Sequence, residues 1–151
     1  MAQISKNLKI DGASASAKWD HLVEQAIKAR EYAYAPYSHY QVGAALLTTD
    51  GKIYKGCNIE NASYSPSNCA ERTAIFKAVS EGDREFEAIA VVTSDGGTPC
   101  GLCRQVMREF APNLTVIIGN IDGNYQVFAL PDLLPHSFGP ENLGVNSGSK
   151  G

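Results

Sequence analysis

One short run, Ala88-Ile-Ala-Val-Val-Thr93, is continuously apolar and is flanked by two stretches with helical periodicity. A strand at the surface of a half-exposed sheet alternates apolar and polar residues; a strand apolar throughout needs cover on both faces. With helices before and after it, that requirement points to a three-layer α/β domain. Ala70–Ser80 carries Ala70, Ala74, Ile75, Ala78 and Val79 at helical spacing and stops at Gly82. After Pro99, a second helix puts Cys103, Val106, Met107 and Phe110 on one stripe and ends at Pro112. A third, from Trp19 to Tyr34, is closed by Pro36. Val42–Thr48 and Lys52–Asn58 are predicted strands joined at Asp50-Gly51, a strong hairpin signal. Leu114–Ile118 and Tyr125–Ala129 follow the same logic around Asp122-Gly123, and Pro131–Leu134 forms a short helical turn.

The chain of 151 residues is the size of one domain. The small, polar residues 1–17 are expected to be loose, residues 18–143 to form the domain, and 144–151, rich in Gly and Ser, to be a flexible tail. Hydrophobic residues make up 44%, which excludes wholesale disorder. A net charge of -3 and a pI near 5.6 argue against a partner bound through a nucleic-acid backbone. No apolar run approaches the roughly 18 residues needed to span a bilayer, and residues 1–11 lack the apolar core of a secretory signal. The expectation is a cytoplasmic protein with no membrane partner.

In a reducing compartment, four cysteines read first as metal ligands or redox groups, and only second as the two disulfides of a secreted chain. Cys69, Cys100 and Cys103 fall at predicted helix starts, where unpaired N–H groups and the positive dipole end favour thiolate, the form that binds zinc. Three protein ligands leave one tetrahedral position open, as in a catalytic site. Cys57, at a strand end, offers the alternative of a closed four-cysteine structural site. Glu71 weighs against that alternative. It lies on the same first turn as Cys69, badly placed to join the ligands yet within reach of water in an open position, whose proton it can take and pass on.

Cys69-Ala-Glu71, followed by Pro99-Cys100-Gly-Leu-Cys103, resembles the zinc-dependent cytidine deaminase superfamily. Tyr34-Ala-Pro-Tyr-Ser-His-Tyr-Gln-Val-Gly-Ala-Ala-Leu46 is similar to its opening segment, Gly56-Cys-Asn-Ile-Glu-Asn-Ala-Ser-Tyr64 to its nucleoside-binding loop, and Leu133-Leu-Pro-His-Ser-Phe138 to its closing motif. Together these cover roughly Trp19 to Leu143 and point to the small enzymes that act on free nucleosides. The resemblance implies an α/β/α fold with a five-stranded mixed sheet, a homotetramer with sites shared between subunits, and one Zn²⁺ per subunit on Cys69, Cys100 and Cys103. It implies hydrolytic deamination of cytidine and 2′-deoxycytidine, with Glu71 moving protons to the pyrimidine N3 and then to the departing amine. Asn58 and Glu60 would hold the ribose hydroxyls, and Arg72 would donate hydrogen bonds to thiolate sulfurs. Ala62, Tyr64 and Phe138 would serve a neighbouring subunit's site. Tyr40 stands where the family mostly carries a phenylalanine stacked on the base, so its hydroxyl needs a partner if buried. Leu102 and Thr98 replace the usual alanine and serine. The histidines His21, His39 and His136 lack zinc-ligand spacing.

Three rivals remain at this level. A zinc-stabilised binding module would use the metal without catalysis. A thiol redox protein would leave Cys69 and Glu71 unexplained. A deaminase of another cytosine-bearing compound would not need Asn58 and Glu60 to face a sugar.

Overall fold

In a computed structural model, which describes residues 13–145, the elements run α1 (Ala13–Arg30), β1 (Gly43–Thr48), β2 (Ile53–Cys57), α2 (Ala70–Ser80), β3 (Phe86–Thr93), α3 (Gly101–Phe110), β4 (Thr115–Asn120), β5 (Tyr125–Ala129), α4 (Leu130–Leu133) and a 3-10 turn (Pro140–Leu143). The strands form one mixed sheet in the order β2-β1-β3-β4-β5. Only the β3–β4 pair is parallel, because α3 carries the chain back across the sheet between those two strands.

The expected central strand is central. β3 lies between β1 and β4, and alternate residues feed two cores. Ile89 and Val91 join Leu46, Val116 and Ile118 under α2 and α3, whereas Ala88, Ala90 and Val92 join Ala45, Leu47 and Ile117 under α1. Three of these six residues on the face beneath α1 are alanine, and Trp19, Leu22, Val23 and Ala26 fill the space they leave. Helix approach is closest at two glycines. A Cβ on Gly43 would stand 2.0 Å from Ala26 O, and one on Gly56 would stand 2.5 Å from both Ala70 O and Ala74 N. Gly56 therefore lets the first turn of α2 lie directly against β2.

The five-stranded mixed sheet and the α/β layers match expectation, but the first helix differs at both ends. It begins at Ala13, so residues 13–17, expected to be loose, are helical; residues 1–12 lie outside the described part. Alanine favours helix without showing any apolar period, which is why the pattern gave no sign of this turn. At the other end α1 stops at Arg30. Tyr34 N donates to Asn58 O and Glu60 N donates to Tyr34 O, so bridging to the segment after β2 replaces the last helical turn. At the other terminus, Gly144 and Val145 fold back on the 3-10 turn, and the remainder of the expected tail is outside the described residues.

Candidate metal centre and active site

α2, β3 and α3 bring their site-bearing ends together. Cys69 and Cys100 are the N-cap residues of α2 and α3, both extended (φ -73 and -67) and neither capping its helix through a side-chain hydrogen bond. Their sulfurs point instead at each other. Cys69 Sγ lies 3.8 Å from Cys100 Sγ, which lies 3.5 Å from Cys103 Sγ, and all three fall within 4.8 Å of one another. Sulfurs at the corners of a zinc tetrahedron, with Zn–S of about 2.3 Å, stand about 3.8 Å apart. The cluster fits such an ion. Cys57 is half-buried and outside the group, and burial pushes its thiol up rather than towards thiolate.

The electrostatics favour the charged form at one sulfur. The hydrogen bond from the Cys103 thiol, with Arg72 assisting, holds Cys69 down to about 5 against the effect of burial. The same hydrogen bond and burial push Cys103 up. Arg72 Nη2 donates to Cys69 Sγ at 3.3 Å. Glu71 is only 4% exposed, and burial first, then the Cys69 charge, push its carboxyl up to about 6. A carboxyl near neutrality can both accept and return a proton at working pH.

Cys69, Glu71, Arg72 and Cys100 line a cleft of about 350 Å³, with Cys103 buried behind them. Tyr40, Asn58 and Glu60 line it too, and their polar atoms are partly engaged. Asn58 Nδ2 donates to Tyr40 O at 2.8 Å while its Oδ1 accepts from Val42 N at 2.8 Å. Glu60 accepts from the backbone N–H groups of Tyr37 and Ser38 and from the Ser38 hydroxyl. An amide has two N–H bonds and a carboxylate about four acceptor positions, so each side chain keeps capacity for one further bond.

Three expected contacts lie apart from this cleft. Tyr64, at φ 62, is 73% exposed and packs edge-on against Tyr37; it borders an adjoining hollow that shares Ser38 and Glu60. Ala62 is exposed on the same loop. Phe138 is 58% exposed, and its segment is strapped to α3, with Gln105 Nε2 donating to Phe138 O and Arg108 Nε to Ser137 Oγ. Sequence reasoning missed Asp95, which takes the Tyr40 hydroxyl at 2.7 Å, and Arg104. The latter donates to Pro99 O, Leu133 O and Thr98 Oγ1, and so holds the turn leading into Cys100. Neither residue carries a spacing signal.

A model of the cytidine and deoxycytidylate deaminase zinc-binding region matches residues 17–119, the span that contains all three sulfurs and Glu71. The chain belongs to this deaminase family. The cytidine deaminase of Halalkalibacterium halodurans is 55% identical over 125 residues, 81% of this chain and 95% of the relative. That of Mycobacterium tuberculosis is 39% identical, over 83% and 92%. The crystal structure of cytidine deaminase from Burkholderia pseudomallei superposes with a TM-score of 0.75 at 55% identity, covering 78% of this chain and 97% of the other. The chain is a hydrolytic deaminase of the zinc-dependent superfamily, with a three-sulfur cluster suited to one zinc per subunit.

Proposed function

We propose that this deaminase converts cytidine and 2′-deoxycytidine to uridine and 2′-deoxyuridine with release of ammonia. The observation that carries the reading is the buried Glu71 carboxyl at the cleft wall, beside a sulfur triad with tetrahedral zinc spacing. Zinc bound there supplies Lewis acidity that brings the pKa of water close to neutral. Cys69, Cys100 and Cys103 would hold the ion, and Arg72 tempers the charge of the thiolates by donating to Cys69. Glu71 takes one proton of the attacking water and delivers it to the pyrimidine N3, then takes the second from the hydroxyl now on C4 and gives it to the departing amine. Its pKa of about 6 suits both directions. Tyr40 offers its ring to the base, and the spare hydrogen-bonding positions of Asn58 and Glu60 suit sugar hydroxyls.

The same reading extends to assembly and place. Ala62, Tyr64 and Phe138 would complete a neighbour's cleft in a cytoplasmic homotetramer. Large exposed aromatics at Tyr32, Tyr64 and Phe138 support burial against other copies, and a site built on free thiols suits a reducing compartment.

The test compares three variants by zinc content and by ultraviolet absorbance of cytidine. Glu71→Gln keeps about one zinc per chain but loses roughly 10²- to 10⁴-fold in rate, the usual worth of a positioned proton carrier. Cys100→Ala loses both metal and turnover; Cys57→Ala keeps both. Wild-type chains that hold zinc yet leave cytidine untouched would replace the enzyme reading with a zinc-stabilised binding module, and zinc loss in Cys57→Ala would revive the closed site.

A further inference from the structure

Tyr40 is held at three points, and the third does not belong to the metal or sugar machinery. Its backbone N–H donates to Ser38 Oγ at 3.1 Å, and its carbonyl accepts from Asn58 Nδ2. The preceding residue, His39, adopts φ 57, a left-handed conformation that few non-glycine residues take, so the chain turns sharply just before Tyr40. The hydroxyl then donates to Asp95 Oδ1 at 2.7 Å, 55 residues away in sequence. That single oxygen also accepts from Thr93 Oγ1 at 3.0 Å and from Gly97 N at 3.2 Å. Thr93 Oγ1 in turn accepts from the N–H groups of Gly96 and Gly97 at 2.8 and 2.9 Å. The turn 93–97 is thereby folded around one carboxylate oxygen. Gly97 is what lets the phenol arrive, because a Cβ there would stand 2.8 Å from Tyr40 Oη.

We propose that Asp95 is a positioning residue for deamination: by accepting the Tyr40 hydroxyl it fixes the tilt of that ring as the wall on which the pyrimidine lies. The proposal rests on the reading that Tyr40 stacks on the base. A phenylalanine here would be oriented by packing alone; this chain adds a hydrogen bond to a charged acceptor, a class stronger than neutral pairs. The bond also joins the segment carrying Ser38 and Tyr40 to the turn that leads through Arg104-clamped Pro99 into Cys100. The ring and the metal-bearing turn are therefore set relative to one another. With the hydroxyl committed to Asp95, the ring face remains for the base.

The experiment uses four variants of the zinc-loaded chain: Tyr40→Phe, Asp95→Ala, Asp95→Asn and the double Tyr40→Phe/Asp95→Ala. Tyr40→Phe and Asp95→Ala each raise KM for cytidine by about 3- to 10-fold, the worth of one net hydrogen bond, with kcat within about two-fold. The double variant is no worse than Asp95→Ala alone, because Asp95→Ala already removes the one bond that Tyr40→Phe removes. Asp95→Asn, whose neutral amide oxygen can still accept the Tyr40 hydroxyl, recovers part of the loss. Uridine binding follows the same ranking without requiring turnover. A near-ultraviolet difference spectrum between wild type and Asp95→Ala shows a shifted tyrosine band, which vanishes when the comparison is repeated on the Tyr40→Phe background. An absent band shift, additive losses in the double variant, or a fall in kcat with KM and uridine binding unmoved would each overturn the proposal. A wild type that binds uridine but leaves cytidine unchanged would instead overturn the function reading, and the spectrum and binding series would still decide on Asp95.

Discussion

Replacing Gly56 by alanine tests whether the contact between β2 and α2 sets the geometry of the sulfur triad. The added Cβ would lie 2.5 Å from Ala70 O and from Ala74 N and 3.1 Å from Ala74 Cα, all backbone atoms of α2. No side chain can rotate aside, so the helix and strand must separate by about 1 Å to reach ordinary contact. Overpacking of this kind costs about 1 to 3 kcal/mol, and with rigid backbone on both sides the upper value applies. For a chain of 151 residues, 3 kcal/mol lowers Tm by about 6 to 12 °C. The same displacement moves the first turn of α2, with Cys69 and Glu71, away from α3, where Cys69 Sγ and Cys100 Sγ are 3.8 Å apart. Zinc affinity should then fall about 10- to 100-fold, as it does when the support of a metal ligand is disturbed. Thermal unfolding with zinc and with a chelator, together with competition for zinc against a colorimetric chelator, measures both effects. Lys55→Ala, on the exposed position next to Gly56, serves as the control. A Gly56→Ala chain with wild-type Tm and zinc retention would refute the argument that this contact positions the site.

Mixing subunits tests the shared site. Co-refolded Glu71→Gln and Phe138→Ala chains should exceed the mean activity of the parents at limiting cytidine, because some sites regain both groups; hybrids at the mean, verified by mass, would place Phe138 within its own subunit or away from the site. A separate expectation concerns alkaline stability. Tyr125 is fully buried, donates to Asp20 Oδ1 at 2.9 Å, and is pushed up to about 12 by burial and then by that hydrogen bond. Its protonated form is the one the fold favours, so stability holds below about pH 10 and declines by roughly 3 kcal/mol between pH 10 and 12. Denaturant midpoints across that range should fall less steeply in Tyr125→Phe, and parallel profiles would exclude Tyr125 as the cause.

Much of this was legible in the residues because it obeys local rules. The buried run Ala88–Thr93, the Asp50-Gly51 turn and the stripes on α2 and α3 each follow from side-chain period and turn chemistry. The sulfur triad was legible for a different reason: few chemistries need cysteine at two helix starts with a glutamate two residues after one of them. What escaped depends on pairs distant in sequence. Tyr40 announced that a hydroxyl needed a partner, but Asp95, 55 residues away in a glycine-rich turn, looked like any exposed acid. The bridging of Tyr34 to residues 58–60 overrode a helical pattern in the same manner, by a long-range hydrogen bond that a local window does not contain. Arg104 reads as a surface residue of an amphipathic helix until the turn it clamps is in view.

The direction of the elements has a practical consequence. α2 and α3 start at the cleft and run away from it, and β1 and β2 also turn at the opposite end, where Leu47 pairs with Ile53 and with Ala88. The links there, residues 49–52 and 81–85, contribute nothing to the cleft lining. Gly51 and Gly82 sit in left-handed turns, and a Cβ at either would meet nothing within 4 Å. An affinity peptide or a small reporter domain spliced into either turn therefore projects from the pole opposite the chemistry, leaving both cysteine-bearing helix starts in register. The enzyme can be labelled or tethered from within its chain.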